Sequence, residues 1–445
     1  MYNIYMSKTS LNIIVIGAGA SGLMAAGIAA GQGAAVRLIE KTPVYGRKLS
    51  MTGNGRCNIT NTTPISEFSR HYHSSSRFLR HALHSFTNLD CINFFEGLGR
   101  GTTPERFSFH EEDNGRVLPV NSNGHEISVA LAKWAVSCGV KIIPNISVTK
   151  LLVDNNMIKG VEAVDSDKNV LQMQGDSVII ATGGKSYPKT GSTGDGYELA
   201  KSVGHSIIPL RPALVPIETQ GDLTKRLQGV SLPQVMVTLW INNLKSMTKI
   251  GDLIFTHYGV SGPLILNLSR FIVDALRTQS DVTISIDLFP NLDHPQIQRE
   301  FSSYITIHKK QLFNNLLINY LPKKMIQVCC EELNISGDKM LNQLSAKELK
   351  RLRLWLKSLT LKVSGYRTFD EAMITAGGVD TDEVDPKTMQ SKIVKGLYFA
   401  GEALDIDAET GGFNLQAAFS TGWLAGKSCT LRSLPLKIPQ RDSSL

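Results

Sequence analysis

The sequence contains no C-x-x-C pair and no Cys/His cluster with metal-ligand spacing; its six cysteines stand at positions 57, 91, 138, 329, 330 and 429. Their scatter argues against a disulfide-reductase centre and against a bound metal, and reduced thiols are the expected state. No apolar run approaches the roughly 18 residues that a membrane helix needs, so no membrane association is expected. The first ten residues lack a basic stretch followed by an apolar one, so no signal peptide is expected and the compartment is read as cytoplasmic. Internal repeats and low-complexity tracts are missing too, apart from a polar tail from Pro439.

What is present is an ordinary globular composition, 42% hydrophobic and 19% charged, in a chain of 445 residues. That length exceeds one simple core, so two or three domains are expected. Lys and Arg outnumber Asp and Glu by 47 to 39, a formal net charge of +8. Two readings stay open: a soluble protein with a mildly basic surface, or attraction to a polyanion such as RNA. The 38 glycines are clustered, which suggests phosphate loops and tight turns.

The first cluster follows a short β-branched run, residues 11–16, that reads as a buried parallel strand. Gly17-Ala18-Gly19-Ala20-Ser21-Gly22 comes next, and then a helix-forming run from Leu23 to Ala30. Gly17 permits the tight turn, Gly19 lets the backbone approach a pyrophosphate, and Gly22 lets helix pack on strand. The N–H groups of Ala20 and Ser21 open the helix and face an anion. A second strand, Ala35–Ile39, ends in Glu40, 23 residues after Gly17, where a carboxylate accepts hydrogen bonds from a ribose diol; Lys41 adjoins it. A lone GxGxxG is weak evidence, but strand, helix, second strand and acid together predict a bound dinucleotide.

NAD and FAD share that fingerprint, and FAD needs further loops for its flavin end. Three candidates exist. The segment 46–58 holds Arg47, Lys48, Gly53, Gly55, Arg56, Cys57 and Asn58, and it is too rich in Gly, Arg and Asn to read as helix or strand. Its cations suit phosphates, and its glycines allow close approach to a flavin ring. A buried strand from Ser177 breaks into Ala181-Thr182-Gly183. Near the C-terminus, Gly401-Glu402 follows another strand, and Gly411-Gly412-Phe413-Asn414-Leu415-Gln416 opens a helix from Ala417 to Gly426. Glu402 suits the ribityl chain, and the later N–H groups suit a phosphate or the flavin C2 carbonyl. These loops serve one ligand only if the two ends of the chain fold together, and FAD is the cofactor expected.

Four stretches carry a family resemblance: GRKLSMTGNGRCNITN (46–61), FTHYGVSGP (255–263), AMITAGGV (372–379) and GLYFAGEALDIDAETGGFNLQAAFSTGWLAG (396–426). They resemble the BaiN/YhiN-type FAD-dependent oxidoreductases over nearly the whole chain. The resemblance implies an α/β fold: a Rossmann-like FAD-binding domain of the glutathione-reductase type with an inserted β-barrel-like and helical region. It implies reduction of carbon–carbon double bonds, in steroid-type substrates for some members and in a uridine of ribosomal RNA for others. Ala408 and Phe413 depart from it, where glycine and tyrosine are common. By analogy with related folds, Val148 presents its backbone to the adenine.

The segments read as residues 11–192 for the first FAD-binding part, 193–294 for the barrel-like part, 295–361 for the helical insert and 362–430 for the second FAD-binding part. Residues 66–95 and 124–138 read as helices; 235–240, 246–255 and 282–288 read as antiparallel strands. The stretch 301–360 carries ten Lys/Arg against four Asp/Glu, either a solvated helical face or a surface for ribosomal RNA. No second GxGxxG unit exists, so NAD(P)H is expected as a transient hydride donor over the flavin. Reduction also needs a proton. His257 and Cys57 are the candidate acids, with Tyr258 third, against the plainer readings of a loop-holding histidine and a packed thiol. Two other outcomes remain open: reduction of a small hydrophobic enone, and a non-catalytic flavin-bearing RNA-binding factor.

Overall fold

The computed structural model describes residues 10–73, 75–99 and 105–431; the polar tail from Pro439 lies outside them. The chain forms two compact units, one from residues up to Leu210 and from Gly377 on, the other from Arg211 to Ala376.

The first unit is built on a parallel sheet of β1 (Asn12–Ile16), β2 (Ala35–Ile39), β3 (Lys141–Ile143), β4 (Ser177–Ile180) and β5 (Leu397–Phe399), in the order β5-β4-β1-β2-β3. Ile13, Ile14 and Val15 are wholly buried, as expected of a strand covered on both faces. β5 comes from the far end of the chain, so the sheet closes only when the two termini meet. Helix α1 (Ala20–Gly31) packs tightly on the C-terminal helix Phe413–Ser428. A Cβ at Gly422 would stand 2.4 Å from the Ser21 carbonyl oxygen, and one at Gly426 2.3 Å from that of Ala25. An antiparallel ribbon of Ile146–Asp154, Met157–Asp165 and Val170–Gln174 belongs to the same unit.

The second unit holds a closed six-stranded antiparallel barrel. Its strands run in the order Ile217–Thr219, Gly259–Ser261, Leu244–Phe255, Ser231–Ile241, Val282–Asp287 and Leu359–Tyr366, which pairs back with the first. Along Ser231–Ile241 the residues Val235, Val237 and Leu239 point inward, a period-2 pattern that half-buried strands require. Between the last two strands the chain inserts helices α2 (His294–Ile307), α3 (Lys323–Leu333) and α4 (Ala346–Lys357). Their apolar faces, among them Phe301, Met325, Leu352 and Leu356, share one core with barrel residues Ile284 and Ile286. α2 and α4 each begin with a capping box, from Asp293 with Gln296 and from Ser345 with Glu348.

Three sequence expectations change. Residues 46–58 include a single helical turn, Arg47–Met51, started by Gly46 at φ +67° and closed by Ser50 N–H donating to the Gly46 carbonyl at 2.9 Å. The glycine content that argued against a helix supplies its left-handed entry. The stretch 66–95 is a 3₁₀ segment (Ile65–His71) and two helices, Ser76–Ser85 and Asn88–Gly97, the latter begun by a Thr87–Asp90 capping box. The chain leaves and re-enters the first unit at Leu210/Arg211 and Ala376/Gly377, later than 192 and 361. The helix Asp195–Ser202 contacts the ribbon strand Ile146–Asp154 of the first unit, and Leu359–Tyr366 completes the barrel.

Candidate functional site

β1, β4 and β5 lie side by side and parallel, so the turns leaving their carboxyl ends share one edge of the sheet. Those turns carry Gly17–Gly22, Ala181–Gly183 and Gly401–Glu402. The strand order reverses between β1 and β4, the switch point at which open α/β sheets bind ligands.

The three glycines of the first turn differ physically. Gly17 has φ +99°, and a Cβ there would sit 2.6 Å from the Ala181 carbonyl oxygen. A Cβ at Gly22 would sit 1.9 Å from the Gly17 carbonyl oxygen. Both positions are closed by protein. At Gly19 a Cβ would meet no described atom within 4 Å, so the space beside its backbone is open to a ligand. The helix behind it, α1, has no side-chain cap and no acidic residue in its first turn, and its first turn-closing bond is Leu23 N–H to Gly19 C=O at 2.9 Å. The N–H groups of Ala20, Ser21 and Gly22 are thus the uncapped donors of the helix start, which suits a pyrophosphate.

Glu40 is half-buried and ties the turn together. Its Oε2 accepts from the Ala18 N–H at 2.9 Å, and its Oε1 from the N–H and hydroxyl of Thr42, both at 2.9 Å. Two carboxylate oxygens offer about four acceptor positions, so capacity remains for a ribose hydroxyl. Lys41 pairs with Asp195 and bonds Thr193. Lys48 joins the opening of the chain to its end: its ammonium donates to Glu402 Oε2 and to Ser186 Oγ, each at 2.7 Å. Gly401, at φ +70°, donates its N–H to Thr421 Oγ1 at 2.9 Å. Gly183 also has positive φ, and Gly196 admits the Thr182 hydroxyl, which a Cβ there would approach to 2.0 Å. Val148 sits in the ribbon where pairing slips past Thr149, leaving backbone outside the regular ladder.

Around the third turn the side chains are largely spent on the protein. Gly412 lies so close to Thr60 that a Cβ would stand 2.3 Å from its carbonyl oxygen, and Asn61 donates to the Gly411 carbonyl at 2.9 Å. Asn414 accepts from the Ala408 N–H at 3.0 Å and donates to the carbonyls of Ala408 and Glu409. Gln416 is fully buried: it accepts from Thr60 Oγ1 at 2.6 Å and donates to Phe86 C=O at 3.0 Å and Ser420 Oγ at 2.9 Å. Asn414 and Gln416 therefore brace the loop, as does Asn58, whose Oδ1 accepts from the Val117 N–H at 3.0 Å. Half-buried Leu415 adds packing. Replacing Gln416 by Leu takes the acceptor from the buried Thr60 hydroxyl and one of two donors from the Phe86 carbonyl, which keeps Ser420 Oγ at 2.7 Å, a cost of about 3 kcal/mol. Thermal unfolding of Gln416→Leu is expected to show a Tm lower by roughly 5 °C or more.

The candidate acids fall in different surroundings. Cys57 is fully buried, with φ +59°, and burial pushes its thiol up to about 12 against a smaller opposing effect from Thr52. It is a weak acid. Arg56 pairs with Glu112 at 2.7 Å, and Arg47 and Gly53 are exposed. His257 is exposed in the tight turn 256–259 of the second unit; its ring meets Tyr258 edge-on, with centroids 4.7 Å apart. No hydrogen bond among the described residues holds that ring. Tyr258 is anchored instead: its hydroxyl donates to Glu371 at 3.2 Å and Arg367 lies 4.7 Å over its ring. Burial and the Glu371 carboxylate both raise its phenol.

One pair escaped the sequence reading, in which 66–95 was only a helical stretch. Residues 71–73 run beside 407–409, with Glu409 N–H donating to the His71 carbonyl at 2.9 Å. His71 Nδ1 lies 2.9 Å from Glu409 Oε2, and its ring stacks on Phe413 with centroids 4.0 Å apart. An imidazole–carboxylate pair thus adjoins Gly411-Gly412. The two residues are 338 positions apart, so no local spacing signals them.

Comparison with known proteins agrees with this architecture. The description "HI0933-like protein Rossmann domain" matches residues 11–428. A protein of Haemophilus influenzae named ribosomal RNA dihydrouridine synthase is 33% identical over 430 residues, 95% of this chain and 99% of that one. A 3-dehydro-bile acid delta(4,6)-reductase of Clostridium scindens is 31% identical, covering 94% of this chain and 98% of its own. Among solved structures, a 3-ketosteroid delta1-dehydrogenase of Sterolibacterium denitrificans superimposes with a TM-score of 0.53 at 14% identity, over 95% and 99% of the two chains, a likeness of fold. With its parallel sheet assembled from both termini, its open Gly19 turn and this match over nearly its whole length, the chain belongs to the HI0933-like, BaiN/YhiN-type family of FAD-dependent oxidoreductases.

Proposed function

We propose that the chain is an NAD(P)H-consuming reductase that saturates a carbon–carbon double bond, and that its substrate is a uridine of ribosomal RNA, converted to dihydrouridine. Bound FAD supplies the hydride transfer between NAD(P)H and substrate. The N–H groups of Ala20 and Ser21 hold its pyrophosphate, Glu40 its adenosine ribose and Val148 backbone its adenine. Lys48 and Glu402 hold the ribityl side, and the turns at Gly53–Cys57, Ala181–Gly183 and Gly411–Gly412 border the flavin. Hydride addition leaves the neighbouring carbon in need of a proton, and His257 is the acid proposed, since its exposed imidazole can give a proton and regain it from water.

One observation carries the choice of RNA over a small enone. Lys309, Lys310, Lys323, Lys347, Lys350 and Arg351 in the helical insert are exposed and have no ion-pair partner among the described residues. Of the four acids in 301–360, Glu331 and Glu332 pair with Arg226 and Glu348 with Lys339, which leaves exposed Asp338 as the one without an ion-pair partner among the described residues. A small hydrophobic substrate needs no such field, whereas phosphates do. The bile-acid relative keeps the enone reading as the rival.

Mass spectrometry of ribosomal RNA from a deletion strain is expected to show a missing dihydrouridine that complementation restores. Unchanged RNA would turn the assignment to the enone. In parallel, stopped-flow mixing with NADH or NADPH is expected to bleach the flavin; a flavin that never bleaches would favour a non-catalytic RNA-binding role.

A further inference from the structure

In the second unit a cleft of about 640 Å³ lies beside helices α2 and α4. His294, Gln298, Arg299, Ser302 and Ser303 line it from α2, and Arg353 from α4. Every ionisable group in that lining is basic, and the remainder are amide or hydroxyl side chains apart from Pro295. Arg353 donates through Nη1 to Gln298. Its Nε is buried and has no hydrogen-bond partner among the described residues. A buried donor without an acceptor is costly, so an acceptor at this guanidinium is favoured.

The surroundings add charge of the same sign. Lys350 stands one turn before Arg353 on α4, the spacing that places two side chains on one face, and Lys347 and Arg351 are exposed nearby in the helix. Of the neighbouring acids, Glu348 is paired with Lys339 and Asp287 with Lys357, while the α2 cap Asp293 and Glu300, which accepts from the Tyr320 hydroxyl at 3.4 Å, keep their charge and leave the basic groups in excess.

We propose that the α2–α4 cleft is a phosphate site for the backbone of structured RNA, an inference that rests on the RNA substrate reading above. Arg299 presents a planar fork that matches phosphate oxygens, Arg353 adds its positive charge beside it, and the Ser302 and Ser303 hydroxyls complete the donor set. Such contacts fix the register of the RNA and read no bases. The cleft positions a polynucleotide whose reactive uridine is handled elsewhere.

The test is fluorescence anisotropy of a labelled ribosomal RNA fragment with the full-length, flavin-loaded protein between 50 and 200 mM salt. Arg299→Glu/Lys350→Glu is expected to weaken binding at least tenfold at the lower salt. Arg299→Gln/Lys350→Gln is expected to flatten the dependence of log K on log[salt] by about 1.8, two contacts at roughly 0.9 each on a double-helical backbone. Flavin absorbance of each variant reports its folding. Wild-type affinity and slope in both variants would overturn the cleft, and dihydrouridine restored by those variants in the deletion strain would show the uridine reading standing without it. Inorganic phosphate that stabilises the protein at millimolar concentration, while the RNA fails to bind, would assign the cleft to a small anion and overturn the RNA proposal. If the unaltered chain restores no dihydrouridine, the substrate reading fails by itself; the anisotropy slopes still decide the cleft.

Discussion

Gly19→Val is expected to yield a folded protein that purifies without yellow colour, with flavin affinity reduced by at least 100-fold, about 2.7 kcal/mol. The reason is the asymmetry within the first glycine turn. A Cβ at Gly19 meets no described protein atom within 4 Å, so the fold has room for a side chain there, and that side chain occupies the space through which a pyrophosphate reaches the N–H groups of α1. Gly22→Ala is the control of opposite kind: its Cβ would stand 1.9 Å from the Gly17 carbonyl oxygen, so turn and helix must separate and folding itself suffers. Circular dichroism and flavin fluorescence quenching on reconstitution distinguish the two. A Gly19→Val protein that keeps its colour and wild-type affinity would remove the phosphate loop from the site.

That contrast also marks how far residues alone carry the reading. The β1 turn was legible because its chemistry is local: strand, three glycines, helix and Glu40 fall within 30 residues. The barrel was legible where strands alternate, as at Val235–Leu239, but its closure was not. It depends on Ile217 pairing with Tyr366, 149 residues away, and no periodicity encodes such a partner. Within the site, the amide side chains of Asn58, Asn414 and Gln416 looked like ligand contacts because amides suit both roles. Their hydrogen bonds show a bracing role: each is bonded to backbone or side chains of its own unit, and Gln416 is also fully buried. The Lys48–Glu402 pair and the His71–Glu409 pair were invisible for a different reason, since each joins residues more than 330 positions apart. The split of the chain into loops at both ends predicted that such pairs exist without naming them.

The second large effect concerns the proton. His257→Gln is expected to lower turnover with substrate by roughly 10²–10⁴-fold, the range for loss of a positioned general acid, while flavin bleaching by NAD(P)H keeps its rate. The two half-reactions separate because only the second consumes the proton. Cys57→Ala is expected to lose stability rather than turnover: its thiol is pushed up to about 12 by burial, holds its proton at working pH and packs within the core. His71→Gln supplies the decisive comparison. Its imidazole is oriented by Glu409 and flattened on Phe413, so it is the more rigidly held of the two rings, whereas His257 is exposed and touches only Tyr258 among the described aromatic contacts. Rigid placement favours a catalytic acid, and exposure favours exchange of protons with water; the two histidines divide these virtues. Turnover lost in His71→Gln and retained in His257→Gln would transfer the acid to the His71–Glu409 pair, and the same shift should appear in Glu409→Gln as a changed pH profile with unaltered flavin affinity.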